Sequence, residues 1–272
     1  MAKMTAMPLL TLNELESVAP AFRGKAGNAF ARLLMKALAV DKVNDLYDRN
    51  SSLEGPAFAE AVLKDIGVEY EICHPERLES LPDGPFITIS NHPYGSIDGV
   101  MLVDLFGHLR PDYKVMVNRF LSRIETLGEN FICVTPTGNV KAAMEHIKAG
   151  HPLGIFPSGA VSDLSLKDRC IRDREWQEAA VRLIMKLKVP VLPVAFMDRN
   201  SDFYYSLGLI DWRVRLLRLP SEVFNKRGRR TRIGIGEMIT PEQQSQFKDV
   251  DGFRAFLRST VYNLVNEDSY GK

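Results

Sequence analysis

From residue 68 to residue 196 the chain alternates short apolar runs with helical stretches, and that rhythm restricts it to an α/β sheet. Residues 68–72, 86–90, 113–117, 131–135, 153–156 and 191–196 read as strands, and 99–109, 120–126, 139–149 and 173–187 as helices between them. Runs as uniformly apolar as Phe86-Ile87-Thr88-Ile89 suit strands covered on both faces, so the expectation is a mostly parallel sheet wrapped by helices. Residues 1–66 read as a helical N-terminal extension, with a capping box at Thr11-Leu12-Asn13-Glu14 and a stop at Ile66-Gly67. Residues 241–272 read as a C-terminal helix on the sheet. No repeat or linker interrupts the chain, so 1–272 is expected to be one domain around an α/β core at 68–240.

The first apolar strand to carry chemistry runs into Asn91-His92-Pro93-Tyr94-Gly95-Ser96-Ile97-Asp98-Gly99. Pro93 disfavours the helical region for His92, which places the histidine in a turn at the carboxyl end of the strand. Gly95 is conformationally permissive, and Ser96 or Asp98 then caps the next helix. The turn brings Asp98 back towards His92. A carboxylate beside an imidazole fixes its tautomer and stabilises the imidazolium, which suits a general base acting on a hydroxyl or amine. The competing reading is a structural histidine; the strand-to-helix setting favours the functional one, because open α/β sheets bind ligands at carboxyl strand ends. A second loop, Phe156-Pro157-Ser158-Gly159, also follows an apolar strand. A third run, Val189-Pro190-Val191-Leu192-Pro193-Val194, carries Pro193 inside a strand, which predicts an edge strand or one bent around a pocket.

Several classes are excluded. With a formal net charge of +1 there is no global field to favour nucleic acid, and no helix-turn-helix, zinc-finger or RNA-binding signature is present. Cys73, Cys133 and Cys170 are widely spaced and outside any metal-ligand pattern, which suits a reduced cytosolic compartment and implies no metal. Neither Gly-x-Ser-x-Gly nor His-Glu-x-x-His occurs, which argues against a hydrolase. Residues 1–7 lack the layout of a secretory signal. No run approaches the roughly 18 to 20 apolar residues needed to cross a bilayer.

Together, Asn91-His92-Pro93-x-Gly95-x-x-Asp98-Gly99, Phe156-Pro157-x-Gly159 and the Val-Pro-Val-x-Pro-Val run resemble the glycerolipid (lysophosphatidic acid type) acyltransferase superfamily. The resemblance covers about residues 70 to 240. Its bacterial hemolysin-like branch, with lysophospholipid and aminolipid O-acyltransferases, is the nearest in pattern, and Arg199-Asn200-Ser201, the stretch 219–228 and Ile233-Gly234-Ile235-Gly236 are similar to it. The resemblance implies transfer of a fatty acyl group from an acyl carrier protein or coenzyme A thioester to a lyso-lipid hydroxyl, without a bound cofactor. It implies His92 as base, Asp98 as its orienting partner, and Asn91, Tyr94, Gly95, Ser96, Phe156, Pro157, Ser158 and Gly159 around the substrate. Backbone N–H groups near Gly95 to Gly99 or at Gly159 are the candidate oxyanion donors.

Two departures bear on the acceptor. Five residues separate His92 from Asp98 where the family commonly has four, and Gly95 is the position able to absorb the extra one. Where the family has Phe-Pro-Glu-Gly-Thr-Arg, this chain has Phe156-Pro157-Ser158-Gly159-Ala160-Val161, which lacks the Glu and Arg associated with a glycerol phosphate acceptor. The expected acceptor is therefore a lyso-lipid such as a lyso-aminolipid, with Arg119 as substitute anion ligand and Lys114 behind it. A lysophospholipid or 1-acylglycerol-3-phosphate acyltransferase is the alternative acceptor reading; a non-catalytic lipid- or acyl-carrier-binding protein is the alternative of another class.

The stretch 203–219 mixes aromatics, leucines and arginines, and cations follow at 226–232. Arg213, Arg215, Arg218, Arg229 and Arg230 are the expected contacts with an anionic bilayer. The apolar segment 28–40 has two readings: it covers the sheet, or it lies in the membrane interface with Arg23, Lys25, Arg32 and Lys36 at the headgroups. The expected location is cytoplasmic, peripheral on the inner face of the cytoplasmic membrane.

Overall fold

The computed structural model describes residues 38–95, 97–118, 124–134 and 140–267, with Gly24, Lys36 and Leu121 as isolated positions. The capping box at Thr11, nearly all of the segment 28–40, and Ser96 and Arg119 lie outside the described residues. Two helices precede the sheet, α1 (Val40–Asn50) and α2 (Gly55–Ile66). Pro56 stands in the first turn of α2 and Gly67 closes it in the left-handed region, at φ 70°.

The sheet is formed by β1 (Glu69–Cys73), β2 (Ile87–Ser90), β3 (Lys114–Asn118), β4 (Phe131–Val134), β5 (Leu153–Ile155), β8 (Val191–Phe196) and β9 (Arg230–Ile235). Its order is β1-β9-β8-β2-β5-β3-β4. All pairs are parallel except β8 with β9. A separate antiparallel pair, β6 (Asp163–Ser165) and β7 (Cys170–Arg172), projects from the loop after β5. The expected mostly parallel α/β architecture is therefore present, with β1 and β9 together running opposite to the other five strands.

Helices cover both faces: α3 (Ile97–Leu109), α4 (Val140–Lys148), α5 (Glu178–Leu187) and α10 (Val250–Glu267), which the one-turn α9 (Pro241–Gln244) precedes. Two apolar clusters result. One joins Phe58, Met101 and Phe106 to Phe86, Leu192 and Val194; the other joins Ala143, Ile184, Phe253 and Leu257 to Ile87, Ile89, Val191 and Ala195. Alternate residues of β8 thus enter opposite clusters, as the two-residue period of a strand requires. In α10, Phe253, Leu257, Val261 and Leu264 recur at helical spacing and are buried on that second cluster. Each such side chain stabilises the fold by about 1.5–3 kcal/mol.

Two expectations need correction. The helix expected over 173–187 begins only at Glu178, because Asp173 and Trp176 turn inward and are buried. Strand β8 lies inside the sheet between β9 and β2, so Pro193 marks no edge. The backbone of Pro190 bonds β2, and two-residue alternation turns Pro193 to the other side. There its carbonyl accepts from the N–H of Gly236, and the pairing shifts by one residue between Val194 opposite Ile235 and Val191 opposite Ile239, a bulge at which a missing N–H is tolerated.

Candidate active site

Strands β5, β2 and β8 are neighbours and parallel, with Ile89 facing both Ile155 and Pro193. The loops that follow them therefore leave the same edge of the sheet, and motifs far apart in sequence meet there. After β2, His92 Nδ1 lies 2.7 Å from Asp98 Oδ2, with the His92 side chain 11 % exposed and that of Asp98 fully buried. The pair is close by distance, while Nδ1 lacks a well-directed hydrogen bond; such contacts often tighten only when substrate binds. Gly95, at φ 82°, makes the turn that returns Asp98 to His92. Asp98 also accepts from the backbone N–H groups of Tyr94, Gly95 and Gly99.

These contacts set the charges. Burial pushes the Asp98 carboxyl up, but His92 and the N–H groups of Gly95 and Tyr94 outweigh it and hold the group below the usual carboxylate range. Burial likewise lowers His92, but Asp98, with a smaller contribution from Asp173, carries the imidazole above its ordinary value. With Nδ1 turned to Asp98, Nε2 is the nitrogen left to exchange a proton with a ligand. Phe156 packs against the imidazole at 4.3 Å between ring centroids.

The loop carrying His92 is tied down by residues that motif reasoning missed. Asp173 Oδ1 accepts from the His92 N–H at 3.1 Å and from the Ser162 hydroxyl at 2.6 Å, while Oδ2 accepts from Trp176 Nε1. The Ser162 N–H donates to the His92 carbonyl. Tyr205 donates its hydroxyl to the Pro93 carbonyl, and Asn200 donates to the Tyr94 carbonyl. Buried Lys226 donates to Asn200 and lies over the Tyr94 ring. Asn200, Tyr205 and Lys226 stood within stretches that carried a sequence signal, whereas Asp173 and Trp176 carried none.

His92 lines an apolar cavity of about 610 Å³, within the roughly 300–1,000 Å³ of small-molecule sites. Its apolar walls come from Val40, Val43 and Leu46 of α1, Ile97 and Val100 of α3, and Leu216, Leu217, Leu219 and Val223 of the region after β8. Gly95, Gly159 and Ala160 also line it, as do Arg174 and Arg215.

Other expected substrate contacts are placed elsewhere. Asn91 is buried with both side-chain atoms bonded to the Phe196 backbone, so it ties β2 to β8. Tyr94 is buried in the core. Pro157 is buried and its carbonyl accepts from Gln177; Ser158 is buried with its hydroxyl on the Ala160 carbonyl, so both shape the turn. The expected oxyanion donors are engaged as well: those of Gly95 and Gly99 by Asp98, that of Gly159 by the Phe156 carbonyl.

Three short helices follow β8: α6 (Asp202–Ile210), α7 (Trp212–Leu217) and α8 (Leu219–Phe224). Arg213 lies in α7. Arg215 is not a surface cation: it is 3 % exposed, bonded to the carbonyls of Val161 and Ser162 and ion-paired with Asp163. Its burial is possible because those oxygens replace water around the guanidinium. Arg218 is half-buried against the Phe203 ring, while Arg229 and Arg230 are exposed.

A mostly parallel α/β sheet with a histidine–carboxylate pair at its carboxyl strand ends defines a class of sheet proteins with a titratable pair beside a cavity suited to an apolar ligand. The family model described as Acyltransferase matches residues 14–270, and the chain belongs to that family. The protein is thus an acyltransferase, as its resemblance implied. It is 28 % identical over 244 residues to the lyso-glycine lipid O-acyltransferase of Bacteroides thetaiotaomicron, covering 85 % of this chain and 88 % of the relative. The protein of the same name in Phocaeicola vulgatus is 27 % identical over 237 residues, covering 82 % and 83 %. The fold is similar to the crystal structure of the 1-acyl-sn-glycerophosphate acyltransferase PlsC from Thermotoga maritima, with a TM-score of 0.50, 18 % identity and coverage of 78 % and 81 %.

Proposed function

We propose that the protein is a lyso-lipid O-acyltransferase in which His92 and Asp98 are the catalytic pair. The donor is an acyl carrier protein or coenzyme A thioester. His92 Nε2 takes the proton of the acceptor hydroxyl, the oxygen attacks the thioester carbonyl, and collapse forms the C–O bond and breaks the C–S bond. The imidazolium, stabilised by Asp98, returns the proton to the departing thiolate, so no acyl-enzyme is needed. The observation that carries this reading is the 2.7 Å contact between His92 and Asp98 on the wall of an apolar cavity. The names of the relatives support a lyso-aminolipid as acceptor.

The same reading makes the protein peripheral on the inner face of the cytoplasmic membrane. Among the described residues no helix is long and apolar enough to cross a bilayer. Helix α6 buries Tyr204 and Tyr205, whereas Phe203, Leu209 and Ile210 are exposed, and Trp212, Val214 and Leu217 of α7 extend this apolar surface to the cavity wall. Such a surface, flanked by arginines, suits a headgroup boundary.

The test is to incubate purified protein with a labelled acyl thioester and a panel of lyso-lipids, comparing wild type with His92→Ala. An ester product made by wild type and lost in the variant is expected. Lipid binding by both proteins without transfer by either would instead support the binding-protein reading.

A further inference from the structure

We infer that Arg174, backed by buried Arg215, recognises an anionic headgroup, carboxylate or phosphate, on the amphiphile that occupies the His92 cavity. Apart from His92 and Tyr47, the titratable side chains that line this otherwise apolar cavity are Arg174 and Arg215, and no Asp or Glu among the described residues lines it. Asp163 is bonded to both guanidinium groups. One carboxylate shared by two cations leaves one positive charge over.

The two arginines differ in mobility. Arg215 is fixed: its terminal nitrogens hold the Val161 and Ser162 carbonyls, and its chain packs so closely on Gly208 that a Cβ there would stand 2.9 Å from Arg215 Cδ. Its Nε is buried and has no hydrogen-bond partner among the described residues. Arg174, with its side chain 53 % exposed, is free to turn its planar fork from Asp163 to an incoming anion. Arg174 also borders the neighbouring cavity of about 500 Å³, which has a different character because its arginines share it with Asp163, Asp173, Glu175 and Asp251. A cavity with apolar walls, two guanidinium groups and no lining acid matches an anionic amphiphile better than a neutral or cationic one.

The assay rests on the acyl-transfer reading. Matched acceptors would carry a free carboxylate, its methyl ester, or a phosphate, and kcat/KM would be measured for wild type, Arg174→Ala and Arg174→Lys. Wild type is expected to prefer an anionic acceptor over the ester. That preference should fall about tenfold in Arg174→Ala, chiefly through KM, and return in part with Arg174→Lys. The carboxylate and phosphate arms identify which anion is taken. An unchanged preference in Arg174→Ala overturns the inference. If wild type transfers to no acceptor, calorimetric binding of the same three lipids separates the two ideas: a charge preference that Arg174→Ala abolishes upholds the inference although the transfer reading fails, and binding without preference overturns it.

Discussion

Asp173 Oδ1 accepts the backbone N–H of His92 at 3.1 Å across 81 positions of sequence. The bond fixes the histidine by its main chain, while Asp98 approaches its ring, so two carboxylates restrain one residue from different sides. Asp173 is itself held by Ser162 and Trp176 and by the long helix α10, where Arg258 donates to its carbonyl; its own N–H lies 2.6 Å from the Tyr262 hydroxyl. Helix α10 is thereby coupled to the position of His92.

Replacing Asp173 with Asn keeps the shape but removes a charge that helps to hold the His92 pKa up. Nδ2 of an asparagine would face either the Trp176 N–H or the donors on the other oxygen. We expect kcat to fall about tenfold or more, and the acid limb of the pH–rate profile to move to lower pH. A purely structural Asp173 would lower yield or melting temperature and leave that limb in place. Asp173→Ala, which strands several buried donors, should cost about 2–4 kcal/mol of stability in denaturant unfolding.

A base must be neutral to accept a proton, so kcat/KM should rise with pH through the elevated pKa of His92. Asp98→Asn takes away the main group that raises it, and the limb should shift towards lower pH. The plateau should also drop, by roughly 10² to 10⁴, because the imidazolium loses its counter-charge. A limb that stays where wild type has it would assign the titration to another group.

The sheet was legible in the sequence because buried strands carry continuous apolar runs, and β2, β5 and β8 announced themselves as Ile87-Thr88-Ile89, Leu153-Gly154-Ile155 and Val191 to Phe196. The approach of Asp98 to His92 was legible because Pro93 keeps His92 out of the helical region and Gly95, at φ 82°, permits the turn between them. Asp173 was not, since an isolated acid has no local pattern and gains its role only when β7 and α10 bring it to His92. Arg215 misled for a related reason: arginine in an aromatic-rich helix reads as a surface charge until the partners Val161, Ser162 and Asp163 are known. The edge expected at Pro193 failed because local propensity cannot foresee a register shift in the neighbouring chain.

The exposed apolar face of α6 and α7 provides the membrane test. Ile210 is 78 % exposed and Trp212 49 % exposed, so Ile210→Glu with Trp212→Glu should fold normally. Its sedimentation with anionic vesicles should weaken about tenfold or more, since the exchange removes apolar contact and adds repulsion. Arg229→Glu with Arg230→Glu is the companion variant. A loss confined to that second pair would move the docking surface to the turn before β9.

Lys226 offers a test of how the loop of the dyad is braced. Burial depresses its pKa from 10.5 to about 8, against the opposing pull of Glu222 and Asp98. Between those two values the unfolded chain holds the proton more tightly than the folded protein does. Stability attributable to this residue should therefore rise with pH from about 8 to 10.5, the reverse of the effect of a lysine that gains a salt bridge on folding. The full difference is worth about 3 kcal/mol. Lys226→Met keeps an unbranched apolar stem, one atom shorter, beneath Tyr94, but cannot titrate. Urea unfolding of both proteins across this range should give a wild-type curve that gains on the variant as pH rises, because tyrosines and other shared groups cancel in the difference. Parallel curves would mean that Lys226 keeps an ordinary lysine pKa in the folded protein and is solvated there. The same variant leaves Asn200 Oδ1 without its donor, so Tyr94 and the turn to Asp98 should loosen. A lower kcat with little change in KM is the expected kinetic mark of that loosening.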